Sequence, residues 1–357
     1  MTTLIPARCH CGRNRFKVPF TTSSLPKVEH MCHCNICRHC TGTMGVVDPV
    51  IDGKPLSIES TNDNHVPADF SNLTTYRSSS LASRLFCSTC SAHMFFRSHV
   101  TSDSWTILSG CLERLDGIVT ITRHIYVGDT LDGGLANHMQ SIGDKAIKRF
   151  PSWGREDEPE PEVPLHWRAD GETKSPETLP LYCQCRSIQL YLTRASKLSD
   201  NANDYWLVPG KESTDPIRFM AAHCLCNDCR MSNGTEIMTW LVVPDKNIID
   251  PTTNAPVNLT DEDKRPKALK QYISSEGHHR ESCGTCGATV FWWRKMKDGE
   301  SPHMDVAAAL VDEVAVRGAR AESWIAWHDQ PLFAELAKSR ETAKALGEGL
   351  KAFKVAS

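Results

Sequence analysis

Fourteen of the sixteen cysteines in this 357-residue chain fall into a pattern that is written twice. The first half reads Cys9-His10-Cys11, then Cys32-His33-Cys34-Asn35-Ile36-Cys37, then Cys87-Ser88-Thr89-Cys90. The second half reads Cys183-Gln184-Cys185, then Cys224-Leu225-Cys226-Asn227-Asp228-Cys229, then Cys283-Gly284-Thr285-Cys286. Only Cys40 and Cys111 stand outside the pattern. Flanking residues repeat too: Arg38 matches Arg230, Gly42 matches Gly234, and an apolar stretch, "AHMFF" or "ATVFWW", follows each last pair. Seven cysteines recurring in one order mark two tandem copies of one domain. Equivalent cysteines lie further apart after the first pair, which places an insertion in the second copy within "RASKLSDNANDYWLVPGKESTDP".

Between the copies lies "REDEPEPEVPLHWRADGETKSPETLP", rich in Pro, Glu and Asp and poor in apolar residues. That composition predicts an extended, solvated linker, with Trp167 able to dock. The expected division is a first zinc domain over 1–150, a linker over 151–178, a second zinc domain over 179–330 and a C-terminal helix over 331–357. Leu332, Phe333, Leu336, Leu346, Leu350 and Phe353 keep roughly helical spacing, which predicts a surface helix packed on its own domain. Elsewhere the segments are short and β-branched or aromatic, such as "SWTILSG", "GIVTITRHIYV" and "IMTWLVV", and Gly, Pro and Asn separate them. This predicts an all-β scaffold carrying metal loops.

The charge balance, 40 basic against 43 acidic residues, supplies no field to recruit nucleic acid or an anionic membrane. No apolar run approaches the roughly 20 residues of a membrane span, and "MTTLIPARCHCG" is not a secretory signal. The expectation is a soluble, cytoplasmic protein with no nucleic-acid or membrane partner. Lasting disulfides are rare in a reducing compartment, so closely spaced cysteines there point to metal.

Seven cysteines per copy exceed one tetrahedral zinc site, whose structural form takes four ligands. The natural grouping joins the first pair to the last: Cys9, Cys11, Cys87 and Cys90, and again Cys183, Cys185, Cys283 and Cys286. The middle triads remain, Cys32, Cys34 and Cys37, and Cys224, Cys226 and Cys229. Three thiolates leave the fourth zinc position open, as in catalytic sites. His33, His39, Cys40 and His223 stand close enough in sequence to supply a fourth ligand. The expected load is zinc, two ions per domain and about four per chain.

The stretches "CHCG", "CHCNICRHCTG" and "RLFCSTC", with "CQCRSI", "CLCNDCRMSNG" and "ESCGTCGA" in the second copy, resemble the glutathione-dependent formaldehyde-activating enzyme family, which includes centromere protein V-like proteins. The resemblance implies a β-tent fold in each copy, pinned by the outer zinc, with a groove near the three-cysteine zinc. It also implies carbon–sulfur lyase chemistry joining glutathione to formaldehyde, with the six triad cysteines in the catalytic role. The chain departs from the family pattern at Ser91 and Arg186, where Gly is usual, and at Leu225, where His is usual. A tandem version suggests a larger substrate held in a groove between copies packed as a pseudo-dimer.

An open zinc favours the thiolate of a bound sulfur ligand, which then adds to a carbonyl carbon or leaves in reverse. Arg38 and Arg230, directly after the triads, are candidates to anchor a carboxylate such as that of glutathione. The leading reading is a zinc-dependent carbon–sulfur lyase acting on glutathione or another thiol adduct of a carbonyl compound, as a monomeric pseudo-dimer or a homodimer. The alternatives are a zinc dehydratase or hydrolase acting on a larger carbonyl metabolite, and a non-catalytic zinc-bearing binding module.

Overall fold

The computed structural model describes residues 1–100, 104–154, 161–171, 175–201, 204–210, 212 and 214–356. Strands make up most of their regular secondary structure. In the first copy Thr2–Arg8 pairs antiparallel with Arg15–Thr21, which Leu56–Ser57 extends. A four-stranded antiparallel sheet runs Leu73–Ser79, Ala82–Cys87, His93–Ser98 and Trp105–Ile107. A third sheet sets Lys27–Cys32, the strand that delivers the triad, parallel to Val119–Ile125.

The second copy repeats the plan. Thr178–Tyr182 and Gln189–Thr193 form the antiparallel pair. Ile248–Asp250 and Ala255–Pro256 extend that pair, and the remaining strands merge into one eight-stranded sheet, in which Arg218–Cys224 lies parallel to Ile325–Trp327. Alternation explains the strands: Phe16, Val18 and Phe20 point into the first core, and Leu190 and Leu192 into the second.

Each triad ends in a short helix, α1 (Asn35–Thr41) or α2 (Asn227–Asn233). Both helices close on a glycine in the left-handed region, Gly42 at φ 78° and Gly234 at φ 88°. Those glycines are needed twice over. A Cβ on Gly42 would strike the backbone carbonyl of Thr289, and one on Gly234 the carbonyl of His93, which is the equivalent residue of the other copy. Other contacts between the copies are reciprocal in the same way. The His10 amide donates to Met231 O at 3.1 Å, and the Gln184 amide to His39 O at 2.9 Å. His10 and Gln184 are equivalent, as are Met231 and His39, so each copy presents the same patch to the other.

Two further helices follow, α3 (Glu313–Val316) and α4 (Arg340–Ala356). Two cores belong to single copies, and a third does not. It joins Met31, Leu135 and Met139 of the first copy to Leu225 and Ile237 of the second, and Leu346 and Leu350 of α4 close it. The C-terminal helix therefore packs on both copies, not on its own domain alone. It is also shorter than its apolar spacing predicts. Leu332 is drawn into a bridge with Cys224, and Phe333 takes a left-handed backbone at φ 57°, so residues 331–339 stay outside the helix.

Acidic residues 155–160 of the linker lie outside the described residues. Further along, Val163 and Trp167 pack against Val127 and Ala136 of the first copy, so this stretch is docked and not fully solvated. The tryptophans near the ends of the copies divide. Trp324 is buried in the second core, Trp327 meets His138 of the first copy, and Trp153 stays 44 % exposed. Among the described residues no helix is long and apolar enough to cross a membrane.

Candidate metal centres

The fold brings the cysteines together in four groups, two of four and two of three, each with its sulfur atoms within 4.8 Å of one another. In the first outer group Cys9 and Cys11 follow the strand Thr2–Arg8, while Cys87 and Cys90 flank the turn after Ala82–Cys87. Sγ of Cys11 lies 3.5 Å from those of Cys9 and Cys87. In the second, Sγ of Cys185 lies 3.5 Å from that of Cys183 and 3.4 Å from that of Cys283. Tetrahedral zinc with bonds of about 2.3 Å has sulfur–sulfur edges of about 3.8 Å, so both sets are close to the size that ion needs. Backbone amides already point at the sulfurs: Thr89 and Cys90 donate to Cys87 Sγ at 3.3 and 3.4 Å, and Cys286 to Cys283 Sγ at 3.5 Å. Such donors favour thiolate over thiol.

The turn after each pair asks for a left-handed residue. Gly12 and Gly287 supply it at φ 73° and 78°, while Ser91 and Arg186 adopt it at φ 61° and 60°. The two non-glycines are held by side-chain contacts. Ser282 Oγ donates to Ser91 Oγ at 2.6 Å, and the Arg186 guanidinium stacks on Tyr182. The departures from the family pattern thus preserve the backbone.

The triads are built alike. Cys32 ends its strand, Cys34 caps α1 and accepts the Cys37 amide at 3.3 Å, and Cys37 follows in the first turn. Cys224, Cys226 and Cys229 repeat this with α2, again at 3.3 Å. Among the described residues no fourth His, Cys, Asp or Glu joins either triad. The nearby candidates are engaged elsewhere. His33 bonds Met44 O and His124, His39 bonds Tyr182 O and Glu313, and His223 bonds Thr239 and His138. Cys40 is buried outside the triad.

The third cysteine of each triad meets a buried arginine. Arg84 Nη2 donates to Cys37 Sγ at 3.1 Å, and Arg280 approaches Cys229 Sγ at 3.8 Å through both terminal nitrogens. The Cys37 thiol is held well below its usual range, first by the Cys32 and Cys34 thiols that donate to it and then, against burial, by Arg84. Cys229 is lowered in the same way by Cys224 and Cys226, with Arg280 and Trp240 assisting. A carboxylate accompanies each arginine: Asp48 in the first copy and Asp305 in the second. Burial pushes both up to about 7.

Sequence reading missed these arginines and carboxylates. The arginines left a signal, since Arg84 and Arg280 each precede the last cysteine pair by three residues. The carboxylates left none, because they occupy different positions in the two copies.

Arg38 and Arg230 are placed differently from the expected carboxylate anchors. Arg38 is closed to solvent, and its Nη2 pairs with Glu313 across the seam at 3.2 Å. Arg230 is 3 % exposed and donates to the carbonyls of Gly110 and Leu112 in the other copy. One terminal nitrogen of each guanidinium thus reaches across to the other copy.

No curated protein matches the chain. The family model for the glutathione-dependent formaldehyde-activating enzyme matches residues 4–129 and 211–326. Cys183 and Cys185 lie outside the second match, yet the fold carries them to Cys283 and Cys286. With both copies matched over more than half of its length, the chain belongs to the glutathione-dependent formaldehyde-activating enzyme family.

Proposed function

We infer that this protein is a zinc-dependent enzyme of the carbon–sulfur lyase type, acting on glutathione or another thiol adduct of a carbonyl compound. The observation that carries the reading is the pair of three-cysteine groups, each with no fourth protein ligand among the described residues and with an arginine on its third sulfur. The outer four-cysteine groups would hold structural zinc, and Cys32, Cys34, Cys37, Cys224, Cys226 and Cys229 would hold the two open ions. When bound in an open site, zinc stabilises a substrate thiolate or polarises a carbonyl oxygen. Arg84 and Arg280 keep the third cysteine of each triad anionic and oriented.

In the forward direction the thiol loses its proton, its sulfur bonds the carbonyl carbon, and the carbonyl electron pair takes up a proton. The product is a hemithioacetal, and the lyase direction reverses each change. The reciprocal contacts and shared core favour copies that work as a pseudo-dimer, with domains over 1–150 and 179–330. None of the sixteen cysteines is in a disulfide, which supports a reducing, cytoplasmic setting and leaves the fourteen grouped ones available as metal ligands.

The test is exchange NMR of carbon-13 formaldehyde with glutathione. Zinc-loaded protein should speed exchange between the free aldehyde and its adduct, and protein stripped of the open ions should not. No acceleration with formaldehyde, methylglyoxal or glyoxylate would remove the lyase reading.

A further inference from the structure

The two triads share their cysteines and not their surroundings. Counting back from Cys32 and Cys224, Glu29 and His30 of the first copy correspond to Ala221 and Ala222 of the second. Strand register fixes two more pairs. Val50 bridges Thr106, and Val242 pairs with Asp305. Two residues before those valines stand Asp48 and Trp240. On the other flank, Ile125 lies opposite Cys32 and Leu332 opposite Cys224. The residues that follow, Tyr126 and Phe333, share the same left-handed backbone at φ 55° and 57°.

Four protic side chains of the first copy are therefore replaced by Ala221, Ala222, Trp240 and Phe333. Of the first copy's four, His30, Asp48 and Tyr126 border the first triad. The Cys32, Cys34 and Cys37 charges all act on Tyr126, and the Cys37 charge acts on Asp48 and His30. The ring of the half-exposed Trp153 packs on both His30 and Tyr126, which gives this site an aromatic wall reaching solvent. Asp48 is partly accessible. Thr106 Oγ1 donates to its Oδ2 at 3.0 Å, and no ion pair ties it down among the described residues. In the second copy the Trp240 indole, 5 % exposed, takes the place of Asp48 and donates to Cys229 Sγ at 3.4 Å. Asp305, standing where the first copy has Thr106, is the one carboxylate retained, and it keeps none of the other three protic neighbours.

We propose that thiol–carbonyl chemistry is confined to the first triad, with Asp48 as its acid–base group, and that the second triad binds a thiol without turning it over. This rests on the thiol reading above. Asp48 accepts the thiol proton as the sulfur–carbon bond forms, and then returns it to the oxygen that received the carbonyl electron pair. Nothing is oxidised or reduced.

Two measurements on the full-length chain test it. In the exchange assay with formaldehyde and glutathione, Asp48→Asn should slow turnover by roughly 100-fold or more, the usual scale for loss of a general acid–base. Asp305→Asn should stay within about threefold of the parent, since it lacks that role. In cobalt-substituted protein, glutathione should perturb the thiolate-to-metal absorption of both triads, read singly in the Cys229→Ser and Cys37→Ser backgrounds. The pH midpoint of that change should move with Asp48→Asn at the first triad and hold with Asp305→Asn at the second. Equal kinetic losses in the two carboxylate variants, or no loss with Asp48→Asn, overturn the assignment while leaving the thiol reading intact. Wild-type protein that neither accelerates exchange nor responds to glutathione at either triad overturns both.

Discussion

Arg38 of the first copy and Glu313 of the second form an ion pair at 3.2 Å, with 0 and 1 % of their side chains exposed. The same carboxylate oxygen receives His39 Nε2 at 3.2 Å. Burial lowers the His39 pKa, and its hydrogen bonds to the Glu313 carboxylate and the Tyr182 carbonyl oppose that shift. Burial alone would raise the Glu313 carboxyl, but the His39 hydrogen bond and the Arg38 charge outweigh it and hold the group at about 2.

Glu313→Gln should therefore destabilise the folded chain near neutral pH by about 3 kcal/mol, the scale for removing one partner of a buried pair. The sign with pH follows from the depressed pKa. The native carboxylate contributes fully above the unfolded glutamate value of about 4.3 and loses that contribution as pH falls toward about 2. Urea unfolding of parent and variant, compared at each pH, should show a gap that is constant from pH 8 to 5 and closes below pH 4. A gap that persists unchanged at pH 3 would show that the clamp does not depend on ionised Glu313.

Gly234→Ala should be far more damaging than Gly117→Ala, although both glycines have positive φ, 88° and 73°. At Gly117 an added Cβ meets nothing within 4 Å, so only backbone strain of about 1 kcal/mol is expected. At Gly234 it meets the His93 backbone, and the copies must separate locally to admit it. The expected loss exceeds about 3 kcal/mol, since backbone strain and overpacking act together. Similar melting temperatures for the two variants would mean that the seam is loosely packed.

Much of the metal framework is legible in the sequence because cysteine spacing is local and repeats. Cys87 and Cys90 need only one turn, and the order of the series pairs them with Cys9 and Cys11. The surroundings of the triads are not legible in the same way. Asp48 lies in an irregular segment and Thr106 on a strand far along the chain, and the second copy moves its carboxylate from the first of these positions to the second. Only strand register reveals that. Arg38 and Arg230 mislead for a similar reason. Their place after the triads is plain, yet their direction is set by Glu313 and by the Gly110 and Leu112 carbonyls, all contributed by the opposite copy. The C-terminal helix is overextended on periodicity because Leu332 and Phe333 match its spacing while their backbones serve the sheet edge.

Purified protein should carry nearly four zinc ions, and the two classes of site should respond differently to mutation. Cys87→Ser opens a closed four-sulfur group that ties Cys9 and Cys11 to the four-stranded sheet. Structural zinc supplies on the order of 10 kcal/mol, so the first copy should unfold or aggregate. Cys37→Ser removes a sulfur from α1 in an open group and should cost less stability while abolishing metal at that triad. Elemental analysis with thermal melts reads both. Two or fewer zinc ions after zinc is added back, or equal melting losses, would count against the division into structural and open sites.

Separating the copies should expose what the seam conceals. A fragment ending at residue 154 would leave Met31, Leu135 and Met139 in water, and one beginning at residue 175 would do the same to Leu225, Ile237 and the inner face of α4. Patches of that kind drive association. Arg38 and Glu313 would also lose each other, and so would the His10–Met231 and Gln184–His39 backbone pairs. Each fragment expressed alone with zinc should be poorly soluble or self-associated. Co-expression should yield a one-to-one complex that co-elutes at the size of the intact chain and recovers most of its exchange activity. Fragments that are monomeric alone, with melting temperatures equal to that of the parent, would show that each copy is stable without the other.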